Sequence, residues 1–370
     1  MDFELSDEQT MLRDTVREVL TRKYDIETLR AVTDTELGWD KGVWKSLADI
    51  GILGLTFPED DGGMGAGPVE FTSVMTELGR ALAPEPYLDA VLVPGSLIAA
   101  TGDDDTRAEL LGGLASGELL MAFAHLEAGD RWPGAKVATT ATDGRINGTK
   151  VLVGHGDCAD KLVVSARTDD GVGLFLVDAD AEGVTRTGYR THDRRRGAQI
   201  EFNDAAAVRL GSGDATQLIS DAEVGIQTAL CAEAVGAMER SLDLTVEYLK
   251  TRKQFGVTLS HFQTLTQRAA DMYAQLELAR SMSLYATTAL ADGICDPTIA
   301  SRAKLQICRS ARVIGQEAVQ MHGGIGMTAE YPVGHYLSRL TAISHTLGDA
   351  ADHVSVLARS VGDYEMVTVG

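Results

Sequence analysis

The stretch Val246–Gln263, VEYLKTRKQFGVTLSHFQ, carries one acid, four basic residues with a Phe-Gly among them, and two glutamines. Its first part continues a helical period from upstream. Glu247 shares a face with Leu244, Asp243 and Arg240, at spacings of three, four and seven, and with Gly236. Two readings are open. In one, Glu247 forms an exposed pair with Lys250, worth a few tenths of a kcal/mol. In the other, the carboxylate borders a pocket, where burial would raise its pKa and make it a usable general base. Arg252 sits where the helix ends, and Gly256 suits a left-handed C-cap. That does not account for Gln254, Gln263 and Gln267, polar amides at a helix start. Amides and a guanidinium at one junction could hold a pyrophosphate or an adenine.

A second stretch, VQMHGGIGMTAEYPV (Val319–Val333), ends a helix on glycines and opens the backbone to close approach. Gln320 and His322 flank that opening, with His322 reading first as a hydrogen-bonded structural residue.

Outward from these stretches, helical periodicity runs near 218–252, 260–292, 297–322 and 330–361, which predicts a four-helix bundle over 215–370. Residues 118–214 are different. KLVVSARTDDGVGLFLVDADAEGVTRT, DGRINGTKVLVGHG and GAQIEFNDAAAVRL are short β-rich runs punctuated by Asp-Gly and Glu-Gly, the pattern of a small antiparallel β domain. Residues 1–117 are helical again, with Ser6 at a start signal and Leu12, Val16, Val19 and Leu20 at helical spacing. The fold class is α+β. Gly62, Gly63, Gly65 and Gly67 do not form a dinucleotide fingerprint and read as turn residues.

The 370 residues carry a net charge of −21, which argues against a wide basic face for nucleic acid but leaves room for a local basic pocket. Four scattered cysteines, Cys158, Cys231, Cys295 and Cys308, lack metal-ligand spacing and read as buried residues or free thiols in a reducing compartment. No segment is apolar for about 20 residues, so no membrane span is expected, and the charged start is not a signal peptide. The expectation is a cytoplasmic protein.

At these residues the chain resembles the acyl-CoA dehydrogenase family. RKQFGVTLSHFQTLTQRAADM and QMHGGIGMTAEYPVGHY match, and MDFELSDEQTMLRDTVREVL, PEDDGGMG and INGTKVLVGHGDCADKLVVSAR follow the family's order. The resemblance implies a helical domain, a β domain and a dimerising four-helix bundle. It also implies FAD, an acyl-CoA thioester, a carboxylate that takes the α-proton while the β-hydrogen leaves as hydride to flavin, and an electron-transferring flavoprotein as acceptor. Arg252, Phe255, Gln263, Gln320 and Gly324 match the family's contacts to the adenosine and pyrophosphate half of FAD, contacts that reach across to a neighbouring subunit's flavin.

The departures are specific. The C-terminal Tyr-Glu-Gly-Thr turn that carries the family's usual glutamate is HTLGDAAD here, which puts Leu347 in the acid's place. A minority of members carry the acid on the helix before Arg-x-x-Phe-Gly, and Glu247 matches that placement as the base. The usual Thr-Glu-Pro-x-Ala-Gly-Ser-Asp loop is reduced to HLEAGDRWPG, and the Trp-Ile-Thr-Asn strand to LVGH, with Leu152 and Gly154 for the Trp and Thr near the flavin ring. Contacts to a partner's cofactor kept and contacts to its own eroded: this pattern resembles one subunit of the heteromeric acyl-CoA dehydrogenases of bacterial steroid side-chain degradation. The expectation is an FAD-dependent acyl-CoA dehydrogenase, active alone or with a related partner chain; the alternative is a non-catalytic partner that completes a related chain's FAD site. A homo- or hetero-oligomer is expected in both cases.

Overall fold

The computed structural model describes residues 5–134, 136–359 and 361–363. The first four residues of the N-terminal motif and the end of the C-terminal span lie outside the described residues. Six α-helices come first: α1 (Asp7–Lys23), α2 (Ile26–Thr33), α3 (Lys41–Asp49), α4 (Pro68–Ala81), α5 (Val93–Thr101) and α6 (Asp104–Ser116). Ser6 caps α1 in a reciprocal box with Gln9, and Asp25, Asp40 and Asp103 cap α2, α3 and α6 by the same side-chain-to-amide bond.

The chain then forms β1 (Met121–Ala124), β2 (Thr140–Thr142), β3 (Arg145–Gly154), β4 (Lys161–Thr168), β5 (Gly171–Asp178), β6 (Val184–Arg190), β7 (Arg196–Ala206) and β8 (Val208–Leu210). Their order is β6-β7-β3-β2-β4-β5-β8, with β1 beside β4. The sheet is not wholly antiparallel as expected, because β1 and β2 run parallel to β4. The β2–β3 hairpin supplies the crossover that a parallel neighbour needs. Two register shifts interrupt the β3–β7 ladder, the second between Lys150 and Val153. Leu152 lies in that bulge at φ 53°, outside the strand conformation that would aim its side chain into the sheet's core.

Four long stretches follow: α7 (Thr216–Thr251), α8 (Gln263–Ala291), α9 (Pro297–His322), and a fourth that splits into α10 (Val333–His345) and α11 (Ala350–Arg359). The fourth run therefore differs from the single helix its periodicity predicts. Leu347 at φ 52° and Gly348 at φ 97° leave the right-handed helical region and break it. Among the described residues no helix is long and apolar enough to cross a membrane.

Glycines set how closely the helical layers meet. A Cβ on Gly236 of α7 would lie 1.9 Å from the Thr76 carbonyl of α4, and one on Gly79 would lie 2.0 Å from that of Glu233. Gly236 is thus a helix-crossing residue, not the opening of a pocket. One buried ion network then ties sheet, N-terminal helices and bundle together. Glu233, fully buried, accepts from Arg339 at 2.7 and 2.6 Å and from Arg195 at 2.7 Å. Arg339 also donates to Asp193 at 2.7 Å, and Arg195 to the Ala83 carbonyl at 3.0 Å.

Candidate active site and cofactor face

Two places collect the residues of interest. The first is the end of the bundle where α7 and α9 finish and α8 begins. The Tyr248 ring lies 4.5 Å from that of His322, and Arg268 donates to Glu317 at 2.5 Å, so the three helix ends are pinned together. His322 is structural, as the first reading has it: its ring meets the Ala318 carbonyl at 2.7 Å and the Tyr331 hydroxyl at 3.2 Å.

Beyond α7 the chain makes a two-stranded ribbon, β9 (Lys253–Gln254) and β10 (Val257–Thr258), turned by Phe255 and Gly256. Both turn residues have positive φ, 54° and 83°, the requirement of a tight two-residue hairpin. Gly256 therefore serves that hairpin and not a helix C-cap, which Arg252 supplies in extended conformation. The turn holds Phe255 out in solvent, 91% exposed, at a backbone angle costly for a non-glycine residue. Arg252, Gln254, Gln263, Gln320 and Gly324 are exposed on the same end, with Met327 79% exposed beside them. Among the described residues no carboxylate pairs with Arg252. A free cation, amides, an exposed ring and a glycine turn on one face suit an anionic ligand with a flat heterocycle.

Glu247 does not stand as expected. Its side chain is 66% exposed and its nearest cation is Arg240, at 3.6 Å, one heptad back on the same face, not Lys250. The carboxylate stands in solvent and not in the desolvated pocket a base would need. Arg240 and Leu244 of its face line a cavity of about 550 Å³ against α1, α4 and α10, and Glu247 is not in that lining.

The second place is the cleft between sheet and bundle. A cavity of about 110 Å³ is lined by Asp89, Phe123, His125, Leu126, Leu152 and Gly154 on one side and by Glu223, Ile226 and Leu347 on the other. Leu152, Gly154 and Leu347, three altered positions, thus meet at one spot, beside Leu126 of the shortened loop HLEAGDRWPG. Through Val93 and Ile226 this cavity adjoins an apolar chamber of about 570 Å³ walled by Phe57, Phe71, Leu88, Leu92, Leu97 and Leu218.

Three side chains here are not marked by any motif in the sequence. Glu223 lies on α7 within the stripe Ile219–Ile226–Leu230, and a carboxyl in an apolar helical stripe was the available signal. Burial raises its pKa, against the hydrogen bond that Trp132 Nε1 donates to Oε2 at 3.1 Å. His125 is held by Ser165 at 2.8 Å; burial, then the Lys150 charge, take its pKa down to about 4, so the imidazole is neutral. Lys150 is fully buried and donates to Glu127 at 2.7 Å, to the His125 carbonyl at 2.9 Å and to Ser165 at 3.1 Å. Against the upward pull of burial, the bonds from Lys150 and Thr139 bring Glu127 down to about 2.

Family models for the acyl-CoA dehydrogenase N-terminal and C-terminal domains match residues 6–118 and 227–362. Acyl-CoA dehydrogenase FadE27 of Mycobacterium tuberculosis is 30% identical over 98% of this chain and 99% of its own. The chain belongs to the acyl-CoA dehydrogenase family. Acyl-CoA dehydrogenases are flavoprotein oxidoreductases of lipid or steroid degradation. Two solved structures extend the likeness. The ChsE4–ChsE5 complex of Mycobacterium tuberculosis superimposes with a TM-score of 0.90 at 28% identity, covering 99% of this chain and 100% of that one. A variant of the Tcur3481–Tcur3483 steroid ACAD gives 0.88 at 32% identity, covering 96% and 98%.

The cleft does not fit an isoalloxazine ring. A Cβ on Gly154 would fall 2.7 Å from the Asp89 carboxylate, which His155 holds at 3.0 Å, so the space of the family's Thr is taken by this chain's own acid. A Cβ on Gly348 would fall 2.4 Å from the Trp132 ring. The remaining 110 Å³ is well below the ~300 Å³ at which ligand pockets begin.

Proposed function

We propose that this chain is one of two unlike subunits of an FAD-dependent acyl-CoA dehydrogenase. In this reading it completes the cofactor site of a related chain and houses no flavin of its own. The observation that carries the reading is the narrow sheet–bundle cleft of about 110 Å³, with the Asp89 carboxylate packed against Gly154 and the Trp132 ring against Gly348. The exposed Arg252, Phe255, Gln263, Gln320 and Gly324 support it: they have the chemistry for a pyrophosphate and an adenine, on a face open to another molecule. The likeness to two structures whose names join a pair of chains supports it further. Acyl-CoA is the substrate of the pair, and an electron-transferring flavoprotein its acceptor.

The test is the visible spectrum of this chain co-purified with a related acyl-CoA dehydrogenase chain. Replacing Arg252 by Ala removes most of the pair's flavin absorbance while the isolated chain melts as before. Full flavin in that pair would sink the reading.

A second reading keeps proton transfer in this chain, and Glu223 favours it. Its carboxyl is largely buried, raised in pKa, and lines the small cavity at the mouth of the apolar chamber. A weakly acidic thioester α-proton needs a base that is close and desolvated. Glu223 meets the second condition and Glu247 does not. In this reading Glu223→Gln abolishes turnover of the pair and Glu247→Gln leaves it; the reverse result would restore Glu247.

A further inference from the structure

We propose that the slot between α7, α11 and the turn before it is a binding site for a planar heteroaromatic ring, and that the indole of Trp132 is its built-in occupant. The inference rests on the reading that this chain carries no flavin of its own.

Trp132 rides on a strap, residues 127–134, fastened at both ends. At its base Glu127 accepts from Lys150 at 2.7 Å and from the Ala138 and Thr139 amides at 2.9 Å each, closing the loop on itself. At its tip Arg131 donates to Asp352 of α11 at 2.8 Å. Between these points the indole enters the slot. Its Nε1–H reaches Glu223 at 3.1 Å, and its ring stands 4.5 Å from the buried His353 ring. Gly348, at φ 97°, presents a bare Cα to the benzo part of the ring; any side chain there would meet it.

These walls have the features of a ring site. A wall without a Cβ, an aromatic neighbour and a carboxylate placed for an edge N–H together select a planar heterocycle with a donor on its rim. The adjoining cavity is too small to admit a second ring while the indole stays. Removing the indole empties the slot beside Glu223, a residue that also lines that cavity, and leaves Glu223 without its donor.

The experiment is FAD titration of the purified full-length chain, wild type against Trp132→Gly, followed by flavin fluorescence and by flavin retained after desalting. The variant is expected to bind at least about tenfold more tightly, because the wild type must first give up a hydrogen bond to a carboxylate and the ring contacts. Millimolar indole is expected to raise the melting temperature of Trp132→Gly and not that of the wild type, since a ligand that refills the slot stabilises only the emptied form. Where Trp132→Gly does not fold, Arg131→Ala loosens only the tip, and it is expected to bind FAD more tightly than the wild type.

A folded Trp132→Gly that neither gains FAD affinity nor responds to indole overturns the proposal, and so does an Arg131→Ala that binds like the wild type. Either result leaves the bundle-end reading standing. Stoichiometric FAD on the isolated wild type would overturn both.

Discussion

At the end of the bundle Arg252, Gln263 and Gln320 stand in solvent, and among the described residues no hydrogen bond or ion pair ties up their side chains. At the sheet–bundle cleft the comparable groups are all taken: Glu223 by Trp132, Asp89 by His155, Glu127 by Lys150. In the proposed reading both regions correspond to parts of one cofactor site. Their difference teaches that the two halves of such a site are physically separable. The face offered outward needs only an open set of donors on pinned helix ends. The half that receives a ring needs a void, and a void is filled once nothing requires it, because packing gains contacts that an empty slot forfeits.

The largest effect expected from breaking this contrast lies in the ion network that holds the cleft's walls. Arg339→Leu leaves the fully buried Glu233 with one cation in place of two and strands Asp193. A loss of about 3–5 kcal/mol in urea unfolding is expected; a loss under about 1 kcal/mol would mean that the walls are not locked as described.

Next comes acid. Burial, followed by the Lys150 charge, takes His125 down to about 4, and burial with the Lys304 charge does the same to His353, against an ordinary value of 6.5. Between those pH values the unfolded chain binds more protons than the folded one, so stability is complete above 6.5 and falls as pH drops toward 4. His353→Phe removes one of the two terms, and its melting temperature should fall less steeply over that window. An unchanged slope would contradict the sealed environment of His353.

Smaller effects belong to the open face. Gln263→Ala and Gln320→Ala each weaken flavin retention in the co-purified pair about two- to tenfold, the range of one neutral hydrogen bond. The isolated chain's melting temperature should not move; if it does, these amides serve the fold. Phe255→Gly relieves the positive φ and stabilises the isolated chain by up to about 1 kcal/mol while lowering the pair's flavin content. Stabilisation without loss of flavin would leave the strained turn without a role. Last, Glu247→Gln changes unfolding by less than about 0.5 kcal/mol, as an exposed carboxylate 3.6 Å from its nearest cation should.

The helical, β, helical order was legible because apolar period and turn residues are local signals, and Ser6 announced its helix through a capping box completed by Gln9. Less of the site could be read. Glu247 carried a plausible spacing, but spacing fixes the face of a helix and not what covers it. Gly256 was read as a cap because a hairpin of two-residue strands has no period to detect. The break at Leu347 and Gly348 lay inside an otherwise unbroken helical pattern. Trp132 and Glu223, 91 positions apart, meet only through the fold. Even so, the three altered positions Leu152, Gly154 and Leu347, scattered over the sequence, line one cavity with Leu126 of the shortened loop.

The most direct test of the central claim is the visible absorption spectrum of the wild-type chain, purified alone and then together with a related acyl-CoA dehydrogenase chain. The account predicts no flavin band on the lone chain and a bound flavin in the pair. A stoichiometric flavin on the lone chain would contradict it.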